Sequence, residues 1–219
     1  MVVAIDGPSG SGKSTVARGV AQVLGLHTLD TGAMYRAVTL AALERGTDLA
    51  DGAGLAQCAR AVVLELDDAV VRMDGRDVSA PIRGPEVTAA VSQVSAHPEV
   101  RAVLVDRQRE WAVTHGGGVV EGRDIGTVVF PDAAVKAFVT ASDAERARRR
   151  GVDEAAANRT VAIEALQASM ADRDVADASL GRALRPEDAA ADALVIDSTG
   201  RTIDDVVAEI VARVEAVTP

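Results

Sequence analysis

The sequence predicts an α/β protein: a mostly parallel sheet flanked by helices, interrupted by a small β-rich insert. Three observations predict it. Short β-rich runs alternate with helical patterns, as crossover-connected parallel strands require. A glycine-rich turn at 7–12 joins the first such run directly to a helix. Between residues 62 and 79 the texture changes to short alternating runs separated by turn residues, as in an antiparallel insert.

Taken in order, Val2–Asp6 reads as a buried first strand and Lys13–Leu24 as the first helix. A short segment at Thr28–Asp30 leads through Gly32 into a helix near Met34–Glu44. Val62–Asp67, Val70–Asp74 and Asp77–Ser79 read as short strands, with Asp67-Asp68 and Asp74-Gly75 supplying turns. Pro98–His115 is a long helix with proline in its first turn. Gly118–Glu121 and Lys136–Thr140 are core strands, and Ser142 with Glu145 forms a capping box for an arginine-rich helix. A helix near Thr160–Ala171 precedes an irregular, charged stretch at 173–188. Leu194–Asp197 is the last strand, and the final helix starts at Thr202, with Asp205 three residues on.

The chain has 219 residues and a formal charge of −10, which excludes a protein that coats nucleic acid through a basic surface. A small polyanionic ligand stays possible if positive charge is concentrated locally. The only lysines are Lys13 and Lys136, while arginines cluster at 101–109, 146–150 and 173–185. Cys58 is the single cysteine, so no intramolecular disulfide forms, and His27, His97 and His115 lack metal-ligand spacing. No apolar run reaches bilayer-spanning length and no secretory pattern opens the chain, so a cytoplasmic location without membrane partners is expected.

Gly7-Pro8-Ser9-Gly10-Ser11-Gly12-Lys13-Ser14 matches the phosphate-binding pattern G-x-x-x-x-G-K-[ST] between a strand and a helix. The glycines let successive N–H groups converge on one phosphate, Lys13 reaches the β and γ oxygens, and Ser14 offers a hydroxyl to Mg2+. The expected ATP-binding set is Gly7 to Ser14 with Thr15 and Arg149. Asn158 is the only asparagine, so an N-K-x-D guanine-reading motif cannot occur, and the D-x-x-G match at 51–54 carries no meaning of its own. A small-molecule kinase is the favoured class.

When the acceptor is itself a phosphate, its oxygen is already nucleophilic and arginines replace a general base. Arg36 opens a helix after Asp30-Thr31-Gly32, and Glu121-Gly122-Arg123-Asp124 follows a buried strand at its carboxyl end, where open parallel sheets bind ligands. For Arg146, Arg148, Arg149 and Arg150, a solvated helix face that complements the helix dipole is an equal alternative to ligand binding.

The strings LDTGAMYR (29–36), GRDVSAPIR (75–83), SQV (92–94) with HPEVR (97–101), and EGRDIGTVVFPDA (121–133) resemble bacterial cytidylate kinases, in order and spacing, from residue 2 to about 199. The resemblance implies a P-loop NTPase-type five-stranded parallel core, a nucleoside-monophosphate lobe with a β insert near 62–83, and a mobile lid. The expected division is 1–32, 98–150 and 188–219 for the core, 33–97 for the acceptor lobe and 151–187 for the lid. The implied reaction transfers the γ-phosphoryl group of ATP to CMP and dCMP with Mg2+, in a monomer whose partners are small nucleotides.

By the same resemblance, Ser92, Arg101 and Asp124 read the cytosine ring. Arg36, Arg123 and Arg173 hold the acceptor phosphate, Asp177 lies on the ribose side, and Thr31 and Tyr35 join the acceptor site. Lys13, Arg123, Arg173 and Arg182 form the catalytic set. A carboxylate at 124 would accept from the cytosine amino group and face the carbonyl of uracil, which favours CMP; pairing with Arg123 or Arg101 is the alternative. The lid departs from the family: Arg173-Asp174-Val175-Ala176-Asp177 is followed by about two extra residues before Arg182, with Arg185 an open alternative ligand. Glu121, where some members carry Asp, could order Mg2+-bound water or simply pack. The rivals are a kinase for UMP or another metabolite, and a nucleotide-dependent switch with no acceptor.

Overall fold

Central apolar runs determine the sheet. All five residues of β6 (Gly118–Gly122) are buried, as are four of the five in β1 (Val2–Asp6), the pattern of strands covered on both faces. With β2 (Thr28–Asp30), β7 (Val135–Thr140) and β8 (Leu194–Asp197), they form a five-stranded parallel sheet of order β2-β6-β1-β7-β8. The register pairs Val3 of β1 with Val119 on one side and Val135 on the other. The structure, a computed structural model, describes residues 1–67, 70–156, 162–183 and 185–217, excluding the side chains of Asp67, Asp153, Ala165, Ser169 and Arg173.

The chain divides into two compact units, residues 1–27 with 117–219, and residues 28–116. In the first, α1 (Lys13–Leu24) and α8 (Ile203–Val217) cover one sheet face, and Val16, Val20, Val206, Ile210 and Val214 pack on Val3, Ile5, Val119 and Val139. Gly19 permits the close approach, because a Cβ there would lie 2.7 Å from Val207 Cγ2. The same unit holds α6 (Asp143–Ala156) and α7 (Ile163–Ser179).

The second unit has α2 (Thr31–Glu44), α3 (Gly52–Ala61), α4 (Pro85–Ala96) and α5 (Pro98–Thr114) around Val38, Leu55, Ile82, Val94 and Leu104. A three-stranded antiparallel sheet, β3 (Leu64–Asp67), β4 (Val70–Met73) and β5 (Arg76–Asp77), confirms the insert. Asp74 (φ 52°) and Gly75 (φ 78°) form a two-residue turn of the mirror-image kind that matches strand twist. The expected turn at Asp67-Asp68 and the expected helix start at Thr160 involve residues outside those described.

Several expectations are corrected. Helix α2 begins at Thr31, not Met34, because the Asp30 carboxylate accepts from the Ala33 N–H at 2.9 Å and caps it. The D-x-x-G match is a helix cap of the same type, Asp51 accepting from Gly54 N–H. Only half of the Ser142/Glu145 capping box forms: Ser142 Oγ accepts from Glu145 N–H, but Ser142 N–H donates to Thr199 Oγ1. Arg148 and Arg149 claim the Glu145 carboxylate, which is held at about 2 by Arg148 first. Residues 173–179 are helical rather than irregular, since α7 runs on to Ser179. Among the described residues, no helix is long and apolar enough to cross a membrane.

Candidate active site

The phosphate loop leaves β1 at Asp6 and enters α1 at Lys13. Gly7 passes so close to β7 that a Cβ would sit 2.1 Å from the Val139 carbonyl oxygen. Gly12, at φ 90°, is left-handed and opens the helix, a conformation that glycine adopts without strain. Lys13 Nζ lies 3.4 Å from the Pro8 carbonyl oxygen, which accepts from it, and 3.7 Å from Glu121 Oε2. Ser14 Oγ donates to Glu121 Oε1 at 2.5 Å. Lys13, Ser14 and Glu121 are therefore assembled in one place, Glu121 being buried at the carboxyl end of β6. This hydroxyl and carboxylate are hard oxygen donors of the kind Mg2+ takes, and Mg2+ typically needs only one or two from a protein.

Two residues further along, Arg123 Nη2 lies 3.2 Å from Asp177 Oδ2. Asp177 Oδ1 accepts from Arg182 Nη1. The backbone fixes this cluster: Arg182 N–H donates to the Asp177 carbonyl and Ala183 N–H to the Arg123 carbonyl. Two guanidinium groups thus share one buried carboxylate, leaving a net positive charge. Among the described residues, Arg123 Nη1 is buried without a hydrogen-bond partner. Arg185 is not in this cluster: it is exposed and paired with Glu187 at 3.5 Å. The side chain of Arg173 lies outside those described, although its backbone belongs to α7.

Asp124 is buried at the entrance of a π-helical turn, Ile125–Val129. The turn is anchored by Asp6, which the sequence reading did not single out. Its carboxylate accepts from the Ile125 and Gly126 N–H groups, each at 2.8 Å. Burial raises the Asp6 carboxyl to about 6; Asp124 pushes the same way, while the two N–H groups and Lys13 oppose it. A charged residue ending an apolar strand just before the glycine-rich loop was the available signal.

The arginine-rich helix divides by face. Arg146 and Arg149 turn to the phosphate loop, donating to the Ser9 and Ser11 carbonyls at 3.0 and 2.9 Å. Arg148 and Arg150 pair along the helix with Glu145 and Glu154.

In the unit of residues 28–116, α2 carries Thr31, Tyr35 and Arg36, α4 carries Ser92, and α5 carries Arg101. Thr31 and Arg36 are buried; Tyr35, Ser92 and Arg101 are partly so. Arg36 Nη1 donates to the Ile82 carbonyl at 3.1 Å and Thr88 Oγ1 at 3.0 Å, tying α2 to α4. His97 and His115 meet the Leu49 and Trp111 carbonyls, ordinary loop and helix-end roles.

Comparison with known proteins places this architecture in a family. A family model described as cytidylate kinase matches residues 3–216. A cytidylate kinase of Mycolicibacterium paratuberculosis is 50% identical over 207 residues, covering 92% of this chain and 90% of that protein. One from Pelotomaculum thermopropionicum is 50% identical over 220 residues, covering 98% and 96%. A crystal structure of a protein from Eubacterium ventriosum shares the fold, with TM-score 0.56 at 12% identity, covering 99% of each chain. A five-stranded parallel sheet, a phosphate loop at the end of its central strand, and relatives matching over nearly the whole length make the chain a nucleotide-binding kinase that belongs to the cytidylate kinase family.

Proposed function

We propose that the chain transfers the γ-phosphoryl group of ATP to CMP and dCMP, giving CDP or dCDP and ADP. One observation carries the reading: the end of β6 joins two sets of groups two residues apart. Glu121 stands at the phosphate loop with Lys13 and Ser14, and Arg123 stands in the doubly cationic cluster with Asp177 and Arg182. Donor-phosphate and acceptor-phosphate groups on one strand end suit in-line transfer between two phosphates, where alignment and charge neutralisation dominate.

In this reading residues 7–15 hold the ATP phosphates, and Lys13 neutralises charge on the transferring group. Ser14 would hold Mg2+, with Glu121 reaching it through water; the ion, when bound, offsets negative charge on the phosphate oxygens. Arg123, with its unspent Nη1, Arg173 and Arg182 bind the acceptor phosphate, whose oxygen needs no general base. Asp177 takes the ribose side and holds two of those arginines. Asp124 with Ser92 and Arg101 reads the base, Thr31, Tyr35 and Arg36 complete the acceptor set, and residues 151–187 act as the lid.

The test is ADP release from ATP and Mg2+ with CMP, dCMP, UMP, AMP and dTMP each offered as acceptor. Stimulation confined to CMP and dCMP is expected, and Asp124→Ala should shrink the preference for CMP over UMP by about tenfold or more. A panel in which CMP and dCMP fail to stimulate overturns the acceptor assignment. A CMP preference that survives in Asp124→Ala removes the base-reading role.

A further inference from the structure

We propose that Arg146 and Arg149 are positioning residues that aim the phosphate loop by gripping its outward carbonyls, and that Asp174 couples this grip to α7. In a trans peptide the C=O of one residue and the N–H of the next point in opposite directions. Holding the Ser9 carbonyl therefore aims the Gly10 N–H, and holding the Ser11 carbonyl aims the Gly12 N–H. Both glycines are left-handed, at φ 78° and 90°, and having no side chain they contribute nothing of their own that fixes the loop. A loop whose N–H groups face an anion turns carbonyls outward, and buried carbonyls need donors.

The structure supplies those donors from one face of α6. Arg146, itself buried, donates from Nη1 to the Ser9 carbonyl at 3.0 Å. Arg149 donates from Nη1 to the Ser11 carbonyl at 2.9 Å and to Ser198 Oγ at 2.9 Å, and from Nη2 to the Ser198 carbonyl at 2.9 Å. Ser198, buried just beyond β8, lies with its own hydroxyl 3.0 Å from the Ser11 carbonyl. The loop rests directly on the helix, because a Cβ at Gly10 would lie 2.9 Å from the Arg146 carbonyl oxygen.

Arg146 has a second partner. Its Nη2 donates to Asp174 Oδ2 at 2.6 Å and to Asp143 Oδ1 at 2.9 Å. Asp143 is exposed, whereas Asp174 is mostly shielded, and a charge-assisted bond is worth more there. Asp174 lies on the helix that carries Arg173 and Asp177. The path Ser9 carbonyl, Arg146, Asp174 thus links the loop to α7 through one side chain. The contribution of Arg149 to ATP binding then passes through the Ser11 carbonyl.

This inference rests on the reading of residues 7–15 as the ATP phosphate site. The experiment is calorimetric titration of the full chain with ATP and Mg2+, without acceptor, alongside thermal unfolding. Arg146→Lys and Arg149→Lys keep the charge but replace two separated Nη donors by a single nitrogen that cannot reach both partners, and each should weaken ATP binding about tenfold. Asp174→Asn should weaken it by about threefold to tenfold, and adding it to Arg146→Lys should cost little more, since both act on one link. In turnover the KM for ATP should rise while the KM for the acceptor stays within about twofold, a split that general loosening of the fold would not give.

ATP binding within about twofold of the parent in the folded Arg146→Lys or Arg149→Lys variant overturns the positioning role. So does a parallel loss of ATP affinity, acceptor affinity and melting temperature. Should Arg146→Lys fail to fold, Asp174→Asn carries the test of that link, and unchanged ATP binding there overturns the coupling. Lys13→Ala separates the two readings: if it binds ATP as the parent does, the phosphate-site assignment itself fails, whatever the arginine variants do.

Discussion

At the scale of single residues, Asp6 shows how the site is held together against a cost. Its carboxylate fixes the turn that directly follows Arg123 and Asp124 by accepting two backbone N–H groups, yet burial raises it to about 6. Below the ordinary carboxyl value of 3.8 both folded and unfolded chains hold the proton. Between that value and about 6 the folded chain holds more protons than the unfolded one, so stability falls as pH rises through the window. Above it the penalty amounts to about 3 kcal/mol. Asp6→Asn removes the titration. Urea unfolding of both proteins should show the parent losing about 1 kcal/mol relative to the variant between about pH 5 and about pH 7. A constant difference across that range would mean that Asp6 titrates normally and is better solvated than its surroundings imply.

At the scale of elements, helix ends determine where chain segments start. Thr202 and Asp205 form a complete capping box on α8: Asp205 N–H donates to Thr202 Oγ1 at 3.2 Å and Thr202 N–H to Asp205 Oδ2 at 3.3 Å. Thr202→Ala should cost about 1 kcal/mol, or about 2–4 °C in melting temperature, with little change in turnover, because α8 serves the core and not the site. A melting point equal to the parent's would show that the box contributes nothing net. Elements with strong local signals were legible in this way: the buried strands, the hairpin at Asp74-Gly75, the proline-opened α5. Helices α3 and α4 were not, since Gly52 and Gly54 dilute one and Val87, Thr88, Val91 and Val94 give the other a strand-like texture. The end of α7 was also hidden, because its charged residues read as a solvated loop until Asp174 and Asp177 find buried arginine partners. The site divides likewise. Residues 7–14 form a contiguous motif, so the sequence displays them together. Arg146 and Ser198, with Asp174 acting through Arg146, reach that motif from distant positions, and only folding brings them to it. Asp6 adjoins the motif, but its partners at 125 and 126 are remote in sequence.

At the scale of the whole molecule, the charge of −10 opposes the approach of any polyanion, while the cations that would receive one sit in a few enclosed places. Lys13 is 13% exposed, Arg123 13% and Arg182 7%, each held beside a carboxylate, so their attraction acts at short range. Repulsion from the acidic surface acts through water and is screened within roughly 8 Å at physiological salt, whereas buried interactions are screened far less. The two effects therefore respond differently to added salt. Raising ionic strength from about 0.01 M to about 0.15 M should increase kcat/KM for ATP, by roughly twofold, because repulsion is lost before attraction. Steady-state rates at limiting ATP and fixed Mg2+ measure it, with potassium chloride as the added salt. A steep fall over the same range would mean that the arginine clusters project an attractive field beyond the protein surface, and that recruitment of nucleotide depends on steering, with enclosure of the cations secondary.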